Sequence, residues 1–109
     1  MKYESINDQG VALLNKNQFN EALIFFEKAL ELKPDFVDAL NNLGLAQHKL
    51  AKLDQAVRTY KKVVAIDTDY ALSSDNKILS VIYFFSQGNI NEALEALNTL
   101  VDQDQIDAL

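Results

Sequence analysis

The side chains of this sequence that could do chemistry are few, and they do not form a reactive set. The 109 residues include one histidine, His48, and no cysteine, so a thiol nucleophile, a disulfide and a thiolate metal site are excluded. Ser73 and Ser74 are better explained as helix caps than as nucleophiles, because a nucleophilic serine needs an adjacent base. No glycine-rich loop is present to hold a phosphate. The sequence therefore predicts that the chain is not an enzyme, with no cofactor and no metal.

The charged residues also argue against two classes of function. The carboxylates lie mostly on predicted outer helix faces, so no acid–base pair converges. The net charge is −6, and a nucleic-acid partner is not expected, because phosphate contacts need clustered lysine and arginine. Lys77 is the last basic residue. The acidic residues after it fit a solvated face or, alternatively, a docking site for a basic partner; they are Glu92, Glu95, Asp102, Asp104 and Asp107.

The hydropathy of the chain gives no sign of export or of a membrane. Met1 to Ser5 are followed by mixed polar residues, not by an apolar run, so no signal peptide is expected. No apolar stretch approaches the roughly 20 residues that a membrane span needs. With 49% hydrophobic and 24% charged residues, the composition is that of an ordinary globular domain. These observations predict a cytoplasmic protein with no membrane partner.

The elements that must position these side chains are predicted from one segment, residues 17–34. Its large apolar residues recur three and four apart, the spacing of one helix face; they are Phe19, Leu23, Phe26 and Leu30. Pro34 cannot continue a helix, so this one is expected to end at about residue 33. Similar segments begin at Leu53, 34 residues further on, and at Ile90, 37 residues after that. The chain is therefore organised as a repeat.

Periodicity predicts five further helices, at about residues 4–16, 37–50, 54–66, 78–85 and 91–101. Asp35 is the expected N-cap before residue 37, and Ser73, Ser74 or Asp75 the cap before residue 78. The three extra residues before the third copy are expected to lengthen a loop around residues 70–72. Residues 78–85 are apolar nearly all round, which predicts a helix buried on every side. The last helix has a polar outer face that could serve as a cap; it comprises Asn91, Glu92, Glu95, Asn98, Thr99 and Asp102.

A period near 34 residues with two helices per unit is the signature of a helical repeat. The chain resembles the tetratricopeptide repeat family in all three units, through Gly10, Ala22, Phe26, Ala29 and Pro34, then Leu40, Leu43, Gly44, Ala56, Tyr60 and Val63, then Ala93, Leu97 and Leu100. The resemblance implies an all-α fold, a right-handed α-solenoid of three helix-turn-helix pairs. It implies a single domain, residues 1–109, with repeats at about 3–36, 37–70 and 74–107 and a three-residue insertion before the third.

Small residues explain how the helices of a pair could pack. They are expected to let the two helices approach closely and are Gly10 with Ala22 in the first pair and Gly44 with Ala56 in the second. Phe26 and Tyr60 are expected to fill the space between one pair and the next. Val81 stands where the third pair would have its glycine, so those two helices are expected to lie further apart.

The resemblance also implies a function, a non-enzymatic protein–protein interaction scaffold. In this family the first helix of each pair lines a concave groove, which binds a peptide or a helix of a partner protein. The residues of this chain at those positions are Asn7, Val11 and Leu14, then Asn41, Asn42, Leu45, His48 and Lys49, then Ile78, Ile82 and Phe85. Apolar side chains would anchor the ligand, and the asparagines would hydrogen-bond its backbone.

One known ligand class of the family does not fit. Members that bind the acidic C-terminal tails of heat-shock chaperones clamp the terminal carboxylate with two lysines, one arginine and two asparagines. Asn42 matches one of these places, and the other four hold Asn7, Val11, Asp75 and Leu79. Because the basic clamp is missing, an acidic chaperone tail is not the expected ligand.

Two alternatives to the groove remain open. The apolar segment from Ile78 to Phe85 could seat a homodimer, because exposed contiguous apolar patches usually mark interfaces. The chain could also be a fragment of a longer repeat array. Residues 105–109 echo residues 36–40, as the start of a fourth helix pair would.

Overall fold

The computed structural model describes the backbone of residues 2–102 and the side chains of residues 2–98. This part of the chain is helical, with no strand, and its helices are α1 (Lys2–Asn15), α2 (Phe19–Leu32), α3 (Val37–Lys49), α4 (Leu53–Ile66), α5 (Thr68–Ser73), α6 (Ile78–Ser86) and α7 (Ile90–Asp102). The all-α prediction is confirmed. Each of the six predicted helices is found, with its ends close to the predicted residues.

The chain forms two compact units, Met1–Lys62 and Val63–Leu109. The first contains α1, α2, α3 and most of α4, and the second contains the end of α4 with α5, α6 and α7. The single domain and the three repeat bounds expected from the sequence stay predictions. The echo at residues 105–109 lies outside the described residues.

The same turn joins the two helices of each pair. Asn17, Ala51 and Gly88 all have a positive φ, at 61°, 61° and 75°. The amide that follows each of them donates to a carbonyl five residues back: Gln18 to Leu13, Lys52 to Gln47 and Asn89 to Phe84, at 2.8–2.9 Å. This is the Schellman arrangement, in which a left-handed residue ends a helix and satisfies its last carbonyls. The three pairs thus share one backbone connection.

Within the first unit, glycine allows each pair to close tightly. A Cβ added at Gly10 would lie 2.5 Å from Cε1 of Phe26, well inside van der Waals contact. In the second pair, a Cβ at Gly44 would meet the ring of Tyr60 and lie 2.7 Å from its Cδ1. The predicted close approach at the two glycines is confirmed, and the group that approaches them is an aromatic ring.

Phe26 also links the first pair to the second, as expected. It forms one buried cluster with Ala22 of its own helix and with Leu43 and Ala46 of α3. A further contact joins the helices of the second pair, where the buried Thr59 hydroxyl donates to Oε1 of Gln47 at 2.7 Å. The first unit is therefore held by one apolar cluster and one buried polar contact.

The second unit corrects the prediction of a lengthened loop at residues 70–72. These residues lie in α5, a short helix that the sequence analysis missed. Asp67 begins it, because its side chain accepts a hydrogen bond from the amide of Tyr70 at 3.0 Å. Ala71 is fully buried, and its carbonyl accepts from the hydroxyl of Ser80 in α6 at 3.4 Å. The insertion therefore forms helix, since both a cap and a packing partner are available.

Two of the predicted helix caps are wrong. The residue before α3 in the cap position is Phe36, and Asp35 instead pairs with Lys33 at 3.2 Å. The cap position of α6 is Lys77, which makes no side-chain cap bond. Ser74 lies in the preceding turn, where its hydroxyl accepts from the amide of Asn76 at 3.1 Å.

The prediction that residues 78–85 are buried on every side is also wrong. Leu79 and Ser80 of α6 are buried, but Phe85 is exposed and the residues between them are half-buried. The apolar composition of α6 therefore exceeds what the rest of the described chain covers.

Candidate functional site

The predicted groove residues of the first unit lie on equivalent faces of α1 and α3. Asn7, Val11 and Leu14 are spaced four and three apart, so they share one face of α1. Asn41, Leu45 and His48 have the same spacing on α3. Each α3 residue follows its α1 counterpart by 34 residues, so the two faces occupy the same place in successive repeats.

A side-chain hydrogen bond joins these two helices. Nδ2 of Asn42 donates to Oδ1 of Asn7 at 3.1 Å, across a sequence separation of 35 residues. Asn7 is only 6% exposed, so its carbonyl oxygen is committed to Asn42 and turned away from solvent. The structure thus brings together two predicted ligand-binding amides by pairing them with each other. The sequence analysis missed this contact.

The apolar residues of the face are partly engaged in packing. Val11 and Leu14 are half-buried and lie against the cluster of Ala22, Phe26, Leu43 and Ala46. Leu45 and Asn41 are half-buried as well. His48 and Lys49 are exposed at the end of α3. The face therefore offers a partner an apolar centre with a polar, basic edge.

The predicted residues of the second unit share one face of α6. Ile78, Ile82 and Phe85 are spaced four and three apart. Ile78 and Ile82 are half-buried, whereas Phe85 is exposed. Leu79, one of the positions where a carboxylate clamp would need a charged side chain, is fully buried. The structure thus places an apolar core residue at that position.

Neither metal chemistry nor a membrane span is indicated by the described residues. Among them, no three His, Asp or Glu side chains come together in a way that could hold a metal ion. None of the helices in this part of the chain combines the length and the apolar character that crossing a bilayer requires.

Exposed apolar residues occur on two other helices, where the sequence analysis named no site. Leu53 and Val57 are exposed on α4, and Ile90, Leu94 and Leu97 are exposed on α7. Their spacing of three or four residues was visible in the sequence, but it looks the same for buried residues. The predicted polar residues of α7 that are described, including Glu92 and Asn98, are exposed as expected.

Paired helices joined by a repeated turn, with a glycine beneath an aromatic ring, define a helical repeat protein of the kind that presents helix faces to partners. Two family models match the chain, a TPR repeat over residues 10–50 and a tetratricopeptide repeat over residues 37–70. The chain belongs to the tetratricopeptide repeat family. Proteins of this family generally bind other proteins and serve as scaffolds without catalysis.

Similar proteins include members of several kingdoms. The Protein STIP1 homolog of Dictyostelium discoideum is 26% identical over 104 residues, which cover 90% of this chain and 18% of that protein. PYG7, a chloroplastic tetratricopeptide repeat domain-containing protein of Arabidopsis thaliana, is 33% identical over 61 residues, covering 56% and 20%. An uncharacterized protein of Methanocaldococcus jannaschii is 33% identical over 66 residues, covering 61% and 77%. The chain spans about a fifth of the first two relatives.

A solved structure gives the same result for the fold. The crystal structure of MamA matches this chain with a TM-score of 0.66 and 19% sequence identity. The match covers 97% of this chain and 60% of that one. At this identity the likeness shows the fold alone.

Proposed function

We propose that this chain binds a peptide or a helix of a partner protein along the face that α1 and α3 present together, and that it catalyses no reaction. The hydrogen bond from Asn42 to Asn7 carries this proposal. It ties the two helices to each other beside the half-buried Val11 and Leu45. A ligand lying there would find apolar surface that is held in place before binding, which lowers the entropic cost of association.

Each residue of this face has a distinct role in the proposal. Leu45 supplies the apolar anchor, because burying its remaining surface contributes about 25 cal/mol per Å². His48 and Lys49 are exposed and would contact polar or acidic side chains at the edge of the ligand. Asn7 is buried, so it positions Asn42 and does not contact the ligand itself.

An acidic chaperone tail is not the proposed ligand. Recognition of a terminal carboxylate depends on charge-assisted bonds from lysine and arginine. In this chain Val11 is apolar, Asp75 carries the wrong charge and Leu79 is fully buried. The resemblance to the Protein STIP1 homolog, which covers 18% of that protein, does not extend to a basic clamp on these positions.

The proposal is tested with a peptide selected from a random library on the wild-type chain. We expect amide chemical-shift changes to cluster at residues 41–49, and we expect Leu45→Glu to weaken binding about 100-fold, because a buried charge replaces an apolar anchor. Isothermal titration calorimetry measures the affinity, and circular dichroism checks the fold. Ile24→Glu is the matched control, since Ile24 is an exposed aliphatic residue on α2.

Equal affinity of the wild-type chain and the folded Leu45→Glu variant would rule out this face. Shift changes confined to other helices would do the same. A loss of binding in both Leu45→Glu and Ile24→Glu would indicate a general effect of the added charge and would also count against the proposal.

A second candidate function is self-association through α6. The exposure of Phe85, at the end of the apolar segment, favours it. Phe85→Ser should then lower the mass measured by light scattering at high concentration. If the mass of the wild-type chain is unaffected by this change, α6 is not the contact.

A further inference from the structure

One exposed face of α4 is both apolar and basic. Leu53 and Val57 lie one turn apart, with 57% and 42% of their surface exposed. Arg58, Lys61 and Lys62 are exposed beside them. Residues 49–62 hold five of the ten lysines and arginines of the chain and a single acidic residue, although the whole chain has a net charge of −6. We call Leu53, Val57, Arg58, Lys61 and Lys62 the basic face.

One exposed face of α7 has the opposite charge. Ile90, Leu94 and Leu97 are spaced four and three apart and are 49%, 47% and 43% exposed. Glu92 is exposed on the same helix, and no lysine or arginine follows Lys77 in the sequence. We call Ile90, Glu92, Leu94 and Leu97 the acidic face.

The two faces complement each other in both polarity and charge. Each presents large aliphatic residues one turn apart, which suits side-by-side packing of two helices. One face is bordered by cations and the other by an anion in a segment that lacks cations, so the charges that flank the apolar contact are opposite in sign. We propose that the basic face of α4 binds the acidic face of α7 on a second copy of this chain.

The polarity of α1 argues against the simpler end-to-end contact. If α7 packed on the first helix of the next copy, the exposed residues of α1 should be apolar. Those residues include Glu4, Ser5, Asp8 and Gln9, and two of them repeat the negative charge of α7. The basic face of α4 lacks this conflict, so it is the better match for α7.

This contact is heterologous, because it joins two different surfaces of the same chain. Each copy keeps one free basic face and one free acidic face after the first contact forms. Such contacts produce open chains of copies or closed rings, not dimers alone. The weight-average mass should therefore rise beyond that of a dimer as the concentration increases. It should fall as salt rises from about 0.05 M to about 0.5 M, because ions screen exposed charges.

Two double variants test the pairing of the faces. Leu53→Ser with Val57→Ser removes the apolar part of the basic face, and Ile90→Ser with Leu94→Ser removes that of the acidic face. We expect each to weaken self-association about 100-fold and to sediment as a monomer, because two anchors are lost. Mixed in equal amounts, the two variants should form a 1:1 dimer, because each retains the face that the other lacks. Sedimentation velocity measures all three samples.

Ile24→Ser with Leu32→Ser is the matched control, since these residues of α2 are 50% and 56% exposed. It should associate like the wild-type chain. A wild-type chain that stays monomeric at high concentration would overturn the proposal. So would a mixture of the two variants that stays monomeric, or association that only Phe85→Ser abolishes.

The salt series uses the wild-type chain alone, so it tests the proposal even if a serine variant fails to fold. A mass that does not change with salt overturns the charged contact. Wild-type association that is retained in both folded double variants indicates another surface and overturns it as well. An acidic partner protein in place of a second copy would appear as a wild-type monomer that binds an added acidic helical peptide, which also overturns it.

Discussion

Gly10 lies directly beneath the ring of Phe26, so closely that a Cβ at residue 10 would stand 2.5 Å from Cε1 of the ring. Phe26 is fully buried and has no open space into which to turn. We expect Gly10→Ala to lower the free energy of unfolding by about 1–3 kcal/mol, although alanine favours a helix by about 1 kcal/mol over glycine. Urea unfolding followed by circular dichroism measures the change.

A double-mutant cycle identifies the ring as the cause. Phe26→Leu removes the atoms that Cβ would meet, so the cost of Gly10→Ala should be smaller in that background by about 1 kcal/mol. Gln9→Ala, at an exposed position on the same helix, should change stability by less than about 0.5 kcal/mol. Additive effects of Gly10→Ala and Phe26→Leu would contradict the contact.

The helices of this chain could be predicted because their apolar residues recur at helical spacing and because Pro34 marks an end. The short helix α5 could not. Three inserted residues fit a loop and a helical turn equally well, and the outcome depends on the bond from Tyr70 to Asp67 and on the burial of Ala71. Burial is a tertiary effect, which the local sequence does not encode.

The candidate site was predicted in part for a similar reason. The 34-residue period assigns Asn7 and Asn41 to equivalent positions, and from this the analysis inferred equivalent roles. The hydrogen bond instead joins Asn7 to Asn42, which is displaced by one residue from that period. A period relates equivalent positions, whereas a contact between neighbouring helices joins positions that face each other. The pairing of Asn7 and Asn42 therefore needed the structure.

The turn between α3 and α4 contains a residue that is poorly suited to it. Ala51 has a φ of 61°, and the equivalent position between α6 and α7 is Gly88. A left-handed conformation costs a non-glycine residue about 1–2 kcal/mol, offset in part by the larger entropy of an unfolded glycine. We expect Ala51→Gly to stabilise the chain by about 0.5–1 kcal/mol and raise the midpoint of thermal unfolding. Differential scanning calorimetry measures the shift.

The reverse change provides the control. Gly88→Ala places a Cβ where no atom lies within 4 Å, so only the backbone penalty of its φ of 75° acts. It should destabilise the chain by about 1 kcal/mol. If Ala51→Gly and Gly88→Ala shift stability in the same direction, the shared turn does not determine these effects.

The buried contact between Thr59 and Gln47 makes a prediction of a different kind. Thr59→Val keeps the shape of the side chain but removes the hydroxyl that donates to Oε1 of Gln47. The amide oxygen is then buried without that donor, at an expected cost of about 1–3 kcal/mol. Replacing both residues, as Thr59→Val with Gln47→Leu, should recover most of the loss, because no polar atom remains to be satisfied. Urea unfolding of the two single variants and the double variant tests whether the effects are non-additive.

The uneven burial of α6 gives a prediction that separates its two faces. Leu79 is fully buried, so Leu79→Ala should remove packed atoms and leave a cavity, at a cost of about 2–5 kcal/mol. Phe85 is exposed on the same helix, so Phe85→Ala should cost less than about 1 kcal/mol despite removing more atoms. Amide hydrogen exchange in α5, α6 and α7 measures both changes. If the larger loss of protection followed Phe85→Ala, then Phe85 would be a packed residue, and the case for α6 as a contact surface would be lost with it.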